Sequence, residues 1–269
     1  MLPSGFSDFA TPAEFLKFTR GLAAKAEVFH GSVGCGATCY QRALTELSGS
    51  FVNLDPGSLA FGAYYDFSSG PGDSPNGLSD PLNGAGFFAL RVNQTDAQLK
   101  PNGDMDQRVL DKVADATRDP PQTVGGFPIT GELKFTNYLE GGRSNTGAGI
   151  PILKNEELIL LSAEAQLGVG NKSGAITLLN FVRENSGGLA PTNLTEASST
   201  AALLDEVLYN RRYSLLWEQG ARWIDARRHN RLSSIQVIVP DGAVPAEVPI
   251  PEAECQARNL TAPCRPAGT

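Results

Sequence analysis

The chain of 269 residues is poor in the side chains that most often do chemistry: it has two His, two Met, two Trp and four Cys. His30 stands in His-Gly-Ser-Val-Gly and His229 in Arg-Arg-His-Asn-Arg. Neither has a second His, a Cys or a carboxylate at a zinc-like spacing, so no metal centre is expected. His30 reads instead as the last residue of a helix, where a partly charged imidazole suits the dipole. No Gly-x-Ser-x-Gly elbow supports a serine hydrolase, and no cofactor motif is present. Basic residues are in deficit, 22 Lys+Arg against 29 Asp+Glu, for a net charge of −7. That excludes a general nucleic-acid binder, which needs a basic face to displace phosphate counterions. No stretch approaches the ~18 uninterrupted apolar residues of a membrane-spanning helix. The opening, Met1-Leu-Pro-Ser-Gly-Phe-Ser-Asp8, lacks the basic and apolar regions of a signal peptide.

Glycine (29) and proline (18) are abundant, which predicts long loops. Helical patterns frame them. Thr11-Pro12-Ala13-Glu14 is an N-cap, a helix-starting proline and the acidic third residue of a capping box. The spacing predicts a helix from there to about Phe29, a break at Gly31 to Gly36, and a second helix from Cys39 to Phe51: an αα-hairpin over 11–53.

Residues 54–150 form a loop-rich insert. Its extreme is Ser68-Ser-Gly-Pro-Gly-Asp-Ser-Pro-Asn-Gly77, and its strand-like run is Phe87-Phe-Ala-Leu-Arg-Val92. A helix is predicted over Asp104 to Arg118, capped by Asp104 and stopped by Pro120-Pro121. Aromatics stand among the loop residues, and that argues against plain disorder. Tyr64, Tyr65, Phe67, Phe87 and Phe88 are the binding candidates, because an aromatic face stacks on the C–H face of a sugar while Asn, Asp and Arg bond its hydroxyl rim. The competing reading is a small core beneath a long loop.

From Ile150 the pattern is strongly helical: Glu156 to Leu167, Ser173 to Asn185, Thr200 to Gln219 and Arg222 to Arg231. The first two form a hairpin over a Gly168-Val-Gly-Asn171 turn, with small residues (Ala163, Ala165, Ala175) at tetratricopeptide-like positions, although no strict 34-residue period runs through the chain. The 151–231 segment is the helical core, and 232–269 is an extended, Pro- and Ala-rich tail. Cys35 and Cys39 flank the first turn, and Cys255 and Cys264 lie in the tail. Their spacings match no zinc module, and each pair suits a local disulfide. Four reduced thiols are the alternative.

Pro151-Ile-Leu-Lys-Asn-Glu-Glu-Leu-Ile-Leu-Leu-Ser-Ala-Glu-Ala165, then Gly174-Ala-Ile-Thr-Leu-Leu-Asn-Phe-Val-Arg183, then Asn210-Arg-Arg-Tyr-Ser-Leu-Leu-Trp-Glu-Gln-Gly-Ala-Arg-Trp-Ile-Asp-Ala-Arg-Arg228 and finally Val248-Pro-Ile-Pro251 resemble the blocks of the SusD/RagB family of bacterial outer-membrane nutrient-binding lipoproteins. The chain departs from the pattern at Lys154, Asn210 and Ser214, and Gln219 is an added residue between Glu218 and Gly220. The resemblance implies a mainly α, SusD-like fold of tetratricopeptide-type hairpins with long irregular inserts and a few short strands, in one partial domain covering 1–269. It implies the C-terminal portion of such a protein, with the signal and lipid-modified Cys lying outside this chain. It also implies a surface-exposed place at the outer membrane, membrane association only through that lipid anchor, and a TonB-dependent, SusC-like transporter as partner.

Glu157, Glu164, Arg211, Glu218, Arg222, Asp225 and Arg228 admit two readings. One is a catalytic carboxylate pair with clamping arginines, as in a glycoside hydrolase. The other is a structural ion-pair network: Glu218 and Arg222 are i,i+4 and Asp225 and Arg228 are i,i+3, neighbours on a helix face, and Arg suits partly buried carboxylates. The network is the reading adopted, and Trp217 and Trp223 then read as core anchors. The expected function is non-enzymatic capture of a glycan, oligosaccharide or other nutrient for the transporter. A carboxylate-pair glycosidase and a helical-repeat scaffold that binds protein through a groove are the alternatives.

Overall fold

A computed structural model describes residues 2–79, 89–116, 123–124, 127–128, 133–141, 143–237, 242–248 and 250–259. It is mainly α-helical with a few short strands. Among the described residues no helix is long and apolar enough to cross a membrane.

The first hairpin pairs α1 (Pro12–His30) with α2 (Ala37–Ser48). Thr11 caps α1 by accepting from the Glu14 amide at 3.2 Å. The carboxylate of Glu14 turns to Lys17 at 3.1 Å rather than back to the cap, so half of the expected capping box is made. The turn is a widened helical coil over Gly31–Cys35, closed by a Cys35–Cys39 disulfide.

From α2 the chain enters β1 (Gly62–Tyr65), then the insert, with its short helices α3 (Val92–Thr95) and α4 (Gln107–Lys112) and the strand β2 (Val113–Asp115). The helix expected over 104–118 is therefore brief. Its cap is Asp106, which accepts from the Arg108 amide at 3.0 Å, and not Asp104. It ends where β-branched Val113 pairs across to Phe135 in β5, because the ladder satisfies the backbone groups that a longer helix would have used. Between them lie β3 (Thr123–Val124) and β4 (Phe127–Pro128), paired with each other; β5 is Leu133–Phe135, and β6 (Leu139–Glu140) pairs with β7 (Arg143–Ser144). The chain returns in β8 (Ile150–Lys154), antiparallel to β1, with Gly62 opposite Lys154 and Tyr65 opposite Ile150.

Four helices follow: α5 (Asn155–Gly168), α6 (Lys172–Asn185), α7 (Thr200–Ser214) and α8 (Ala221–Arg228); α9 (Glu252–Ala257) lies in the tail. Every residue of α5 from Asn155 to Ala165 is buried. A helix buried on all sides is the hub of its domain. One face (Leu158, Leu161, Ala165) packs on Phe18, Ala24 and Val28 of α1 and on Ala43 and Leu47 of α2. The opposite face (Ile159, Leu160, Ala163) packs on Ala175, Leu179 and Val182 of α6 and on Leu203 and Val207 of α7. Each such Leu or Ile, fully withdrawn from water, stabilises the fold by about 1.5–3 kcal/mol. At Gly168 the backbone runs against the Tyr40 ring, and a Cβ there would sit 2.0 Å from Cδ2. A third cluster (Ala89, Val109, Val113, Leu133, Tyr213, Leu216) fastens the insert onto the end of α7.

Helix α7 stops at Ser214, five residues short of the expected Gln219. The chain then passes through Trp217 (φ 58°), Gln219 (φ 52°) and Gly220 (φ 66°), all left-handed. Such φ values are uncommon outside glycine and costly for a bulky residue. Surrounding bonds hold them in place: the Gln219 amide donates to the Pro151 and Ile152 carbonyls at 2.8 and 2.7 Å and accepts from Lys25 at 2.7 Å.

Candidate functional site

Because α5 is surrounded, its polar residues are buried, and a buried charge is tolerable when it is paired and hydrogen-bonded. Glu157 lies 2.8 Å from Lys25 and 3.9 Å from Arg211. The Arg211 Nε donates to Asp225 Oδ2 at 2.7 Å, and the other oxygen of Asp225 accepts from Arg228 Nε at 3.0 Å. Arg228 spans both oxygens of Glu164, and His229 Nε2 lies 3.3 Å from the same carboxylate. Burial opposes the Glu164 charge, but the Arg228 guanidinium outweighs it and holds the carboxyl below the usual range. The structure thus joins Glu157, Arg211, Asp225, Arg228 and Glu164 in one chain of alternating charges linking α5, α7 and α8.

Glu218 and Arg222 do not follow the expected pairing. Glu218 accepts from Lys154 at 2.9 Å and from Lys112 at 3.2 Å, while Arg222 Nη2 donates to Ser234 Oγ at 3.2 Å. The i,i+4 rule presumes one continuous helix, and the left-handed turn at 217–220 separates the two residues. Among the described residues Arg222 forms no ion pair.

The same turn opens a groove of about 470 Å³. Leu215, Leu216 and Glu218 line it together with Trp217 and Trp223, both half-buried, as its aromatic walls. Trp217 stacks on Phe135 of β5 at 4.3 Å between centroids and 18° between planes. Trp223 is fixed from behind: its indole donates to the Pro245 carbonyl at 2.8 Å, and Arg227 lies over its ring at 5.8 Å. Asn93, Arg212 and Arg222 line the polar side and also line an adjoining recess of about 150 Å³, closed by Asp96, Ser234 and Gln236 among others. Arg212 donates to Asp96 at 2.7 Å and lies over the Tyr213 ring at 5.1 Å. Burial, followed by the Arg212 charge, pushes the Arg222 pKa below the ordinary arginine value. Fixed aromatic walls with a few convergent polar groups suit a ligand having both an apolar face and a polar rim.

Tyr64, Tyr65 and Phe67, expected from the insert, lie elsewhere. Tyr64 and Tyr65 are neighbours on β1 and so point to opposite faces. Tyr64 is half-buried, with its hydroxyl on the Ala60 carbonyl, and burial raises its pKa. Tyr65 is 58% exposed, and Phe67 is half-buried two residues beyond. None of the three lines the groove. Phe87, Phe88 and Cys264 lie outside the described residues. Cys255 is disulfide-bonded. His30, Cys35 and Cys39 bring ligand atoms within 4.8 Å of one another, but the two sulfurs are bonded to each other and are not thiolate ligands in this state.

Every residue named in the groove falls between 71 and 255, the span matched by the model of the SusD family. The chain belongs to the SusD family. Helices α1 and α2 and strand β1 precede the matched span. A solved structure, B. fragilis NanU, is similar at 16% identity with a TM-score of 0.45, over 80% of this chain and 56% of NanU. The chain therefore spans little more than half the length of that protein. No curated protein matches it. Gln219, which the sequence pattern suggests is an added residue, lies in the left-handed turn and lines the groove of this SusD-family chain.

Proposed function

We propose that this SusD-family chain captures a glycan or oligosaccharide nutrient, without chemically altering it, at the bacterial outer-membrane surface and delivers it to a TonB-dependent, SusC-like transporter. Membership in the family supports the setting. The observation that carries the binding part is the groove between Trp217 and Trp223, with Arg212, Arg222 and Asn93 on its polar side. Aromatic walls held by Phe135 and by the tail at Pro245 give a sugar ring a surface that does not have to be ordered on binding, which lowers the cost of association.

The carboxylates support capture over hydrolysis. A glycosidase needs two flanking the scissile bond, one of them free to give up a proton. Glu157, Glu164, Asp225 and Glu218 are each held by a cation in the interior, and the lowered pKa of Glu164 is the reverse of what a general acid requires.

The test is titration calorimetry against a broad panel of oligosaccharides, with Trp217→Ala beside the native chain. Capture predicts binding, no change in the sugar by chromatography, and at least about tenfold weaker affinity in the variant, from loss of the stacking surface. Turnover of any panel member, or binding unaffected by the substitution, would overturn the proposal.

A further inference from the structure

The two arginines differ in how their charge is met. Arg212 has Asp96 at 2.7 Å. Arg222 has a neutral partner, Ser234 at 3.2 Å, although it lies half-buried beside Arg212 in a chain of net charge −7. The nearby carboxylates are bonded to other cations: Glu218 to Lys112 and Lys154, Asp225 to Arg211 and Arg228, and Asp96, which lines the recess, to Arg212, so that Asp225 and Asp96 reach Arg222 only at longer range. Placing two guanidinium groups together costs free energy unless an anion joins them. The groove provides room for that anion, because Arg212 and Arg222 face both the larger cavity and its recess.

We infer that the groove selects a carboxylate-bearing oligosaccharide, a uronic-acid type of sugar, with the carboxylate bound at Arg222 and Arg212 and the ring against Trp217. A carboxylate matches the planar guanidinium fork with two parallel hydrogen bonds. A neutral sugar would leave the Arg222 charge met only at longer range, by Asp225 and by Asp96 of the same recess. This inference rests on the capture reading and adds the chemical class of the ligand.

The experiment uses uronate-bearing oligosaccharides of several backbone types, each beside its carboxyl-reduced counterpart, with sulfated, uronate-free oligosaccharides as a separate arm. The native chain is compared with Arg222→Gln, Arg222→Lys and Trp217→Ala, and circular dichroism checks the fold of each. The inference predicts that carboxyl reduction weakens binding at least about tenfold, the scale of a lost charge-assisted hydrogen bond. Arg222→Gln should remove that preference, Arg222→Lys should keep part of it, and salt should weaken binding of the acidic member alone. Equal affinity for acid and reduced sugar, a preference unchanged in Arg222→Gln, or tighter binding of the sulfated arm would overturn the carboxylate assignment and leave capture standing. Binding of no panel member would overturn capture as well.

Discussion

Removing the charge of Asp225 while keeping its shape, as Asp225→Asn, should be among the most damaging conservative changes in the chain. Asp225 is 3% exposed and bridges Arg211, which is 1% exposed, and Arg228. In the variant Arg228 keeps Glu164, but Arg211 keeps only the Glu157 oxygen at 3.9 Å, beyond hydrogen-bonding distance. The result is an arginine charge in the interior without a bonded anion, a defect that costs about 3–5 kcal/mol. Against a typical total of about 5–15 kcal/mol that is a large share, and it corresponds to a fall in Tm of about 10 °C. Urea unfolding followed by tryptophan fluorescence and circular dichroism measures it. Arg258→Gln serves as the control: it breaks the exposed i,i+4 pair with Glu254 and should cost about 0.5 kcal/mol or less. A loss below about 1 kcal/mol for Asp225→Asn, with the urea slope unchanged, would refute the claim that the alternating charges hold α5, α7 and α8 together, because an uncompensated interior charge cannot be that cheap.

The remaining expectations concern pH, packing and the disulfide. The folded-state pKa of Glu164 is lowered from 4.5 to about 2, so its contribution is fully present above pH 4.5 and is lost as the pH falls from there toward 2. Unfolding free energies measured along that window should decline by about 3 kcal/mol from this group, with a shallower decline in Glu164→Gln. Gly168→Ala forces a methyl group to within 2.0 Å of the Tyr40 ring and should cost about 1–3 kcal/mol by overpacking; a neutral result by thermal unfolding would mean that the ring moves aside freely. Cys35→Ser with Cys39→Ser opens a short loop and should cost about 2 kcal/mol by the chain-entropy account, read as a lower urea midpoint with secondary structure retained.

The helical frame was largely legible in the sequence, because hairpins such as Pro12–Ser48 and Asn155–Asn185 carry caps, glycine turns and apolar periodicity, all of them local signals. The groove was not. The apolar pattern of α7 runs on past Ser214, so Trp217 and Trp223 look like positions on one continuing helical stripe. The left-handed turn is imposed by distant partners, with Gln219 bonded to Pro151 and Ile152, and a periodicity cannot register such contacts. The Glu218–Arg222 pairing failed for the same reason. Of the insert aromatics, Tyr64 and Tyr65 point in opposite directions by alternation along β1, and Phe135, which the sequence reading did not single out, stacks on Trp217.

The pairing of β1 with β8 has a consequence for how such a protein diversifies. Tyr65 lies opposite Ile150, so the chain leaves β1 and returns in β8 at neighbouring points of one ladder. Doubling the length of a closed loop costs only about 0.6 kcal/mol, which leaves this segment free to lengthen, shorten or be exchanged as a cassette while the frame stays unaltered. A graft would have to keep the bonds that fasten it to the frame, among them Arg108 to Asn210 and Ser214, Lys112 to Glu218, the Gln98 amide to Tyr209 and Asp96 to Arg212. It would also have to supply the rings at positions 135 and 138. Through these rings, which both pack on Trp217, a change of cassette would reshape the Trp217 side of the groove while Trp223, mounted on α8, stayed fixed.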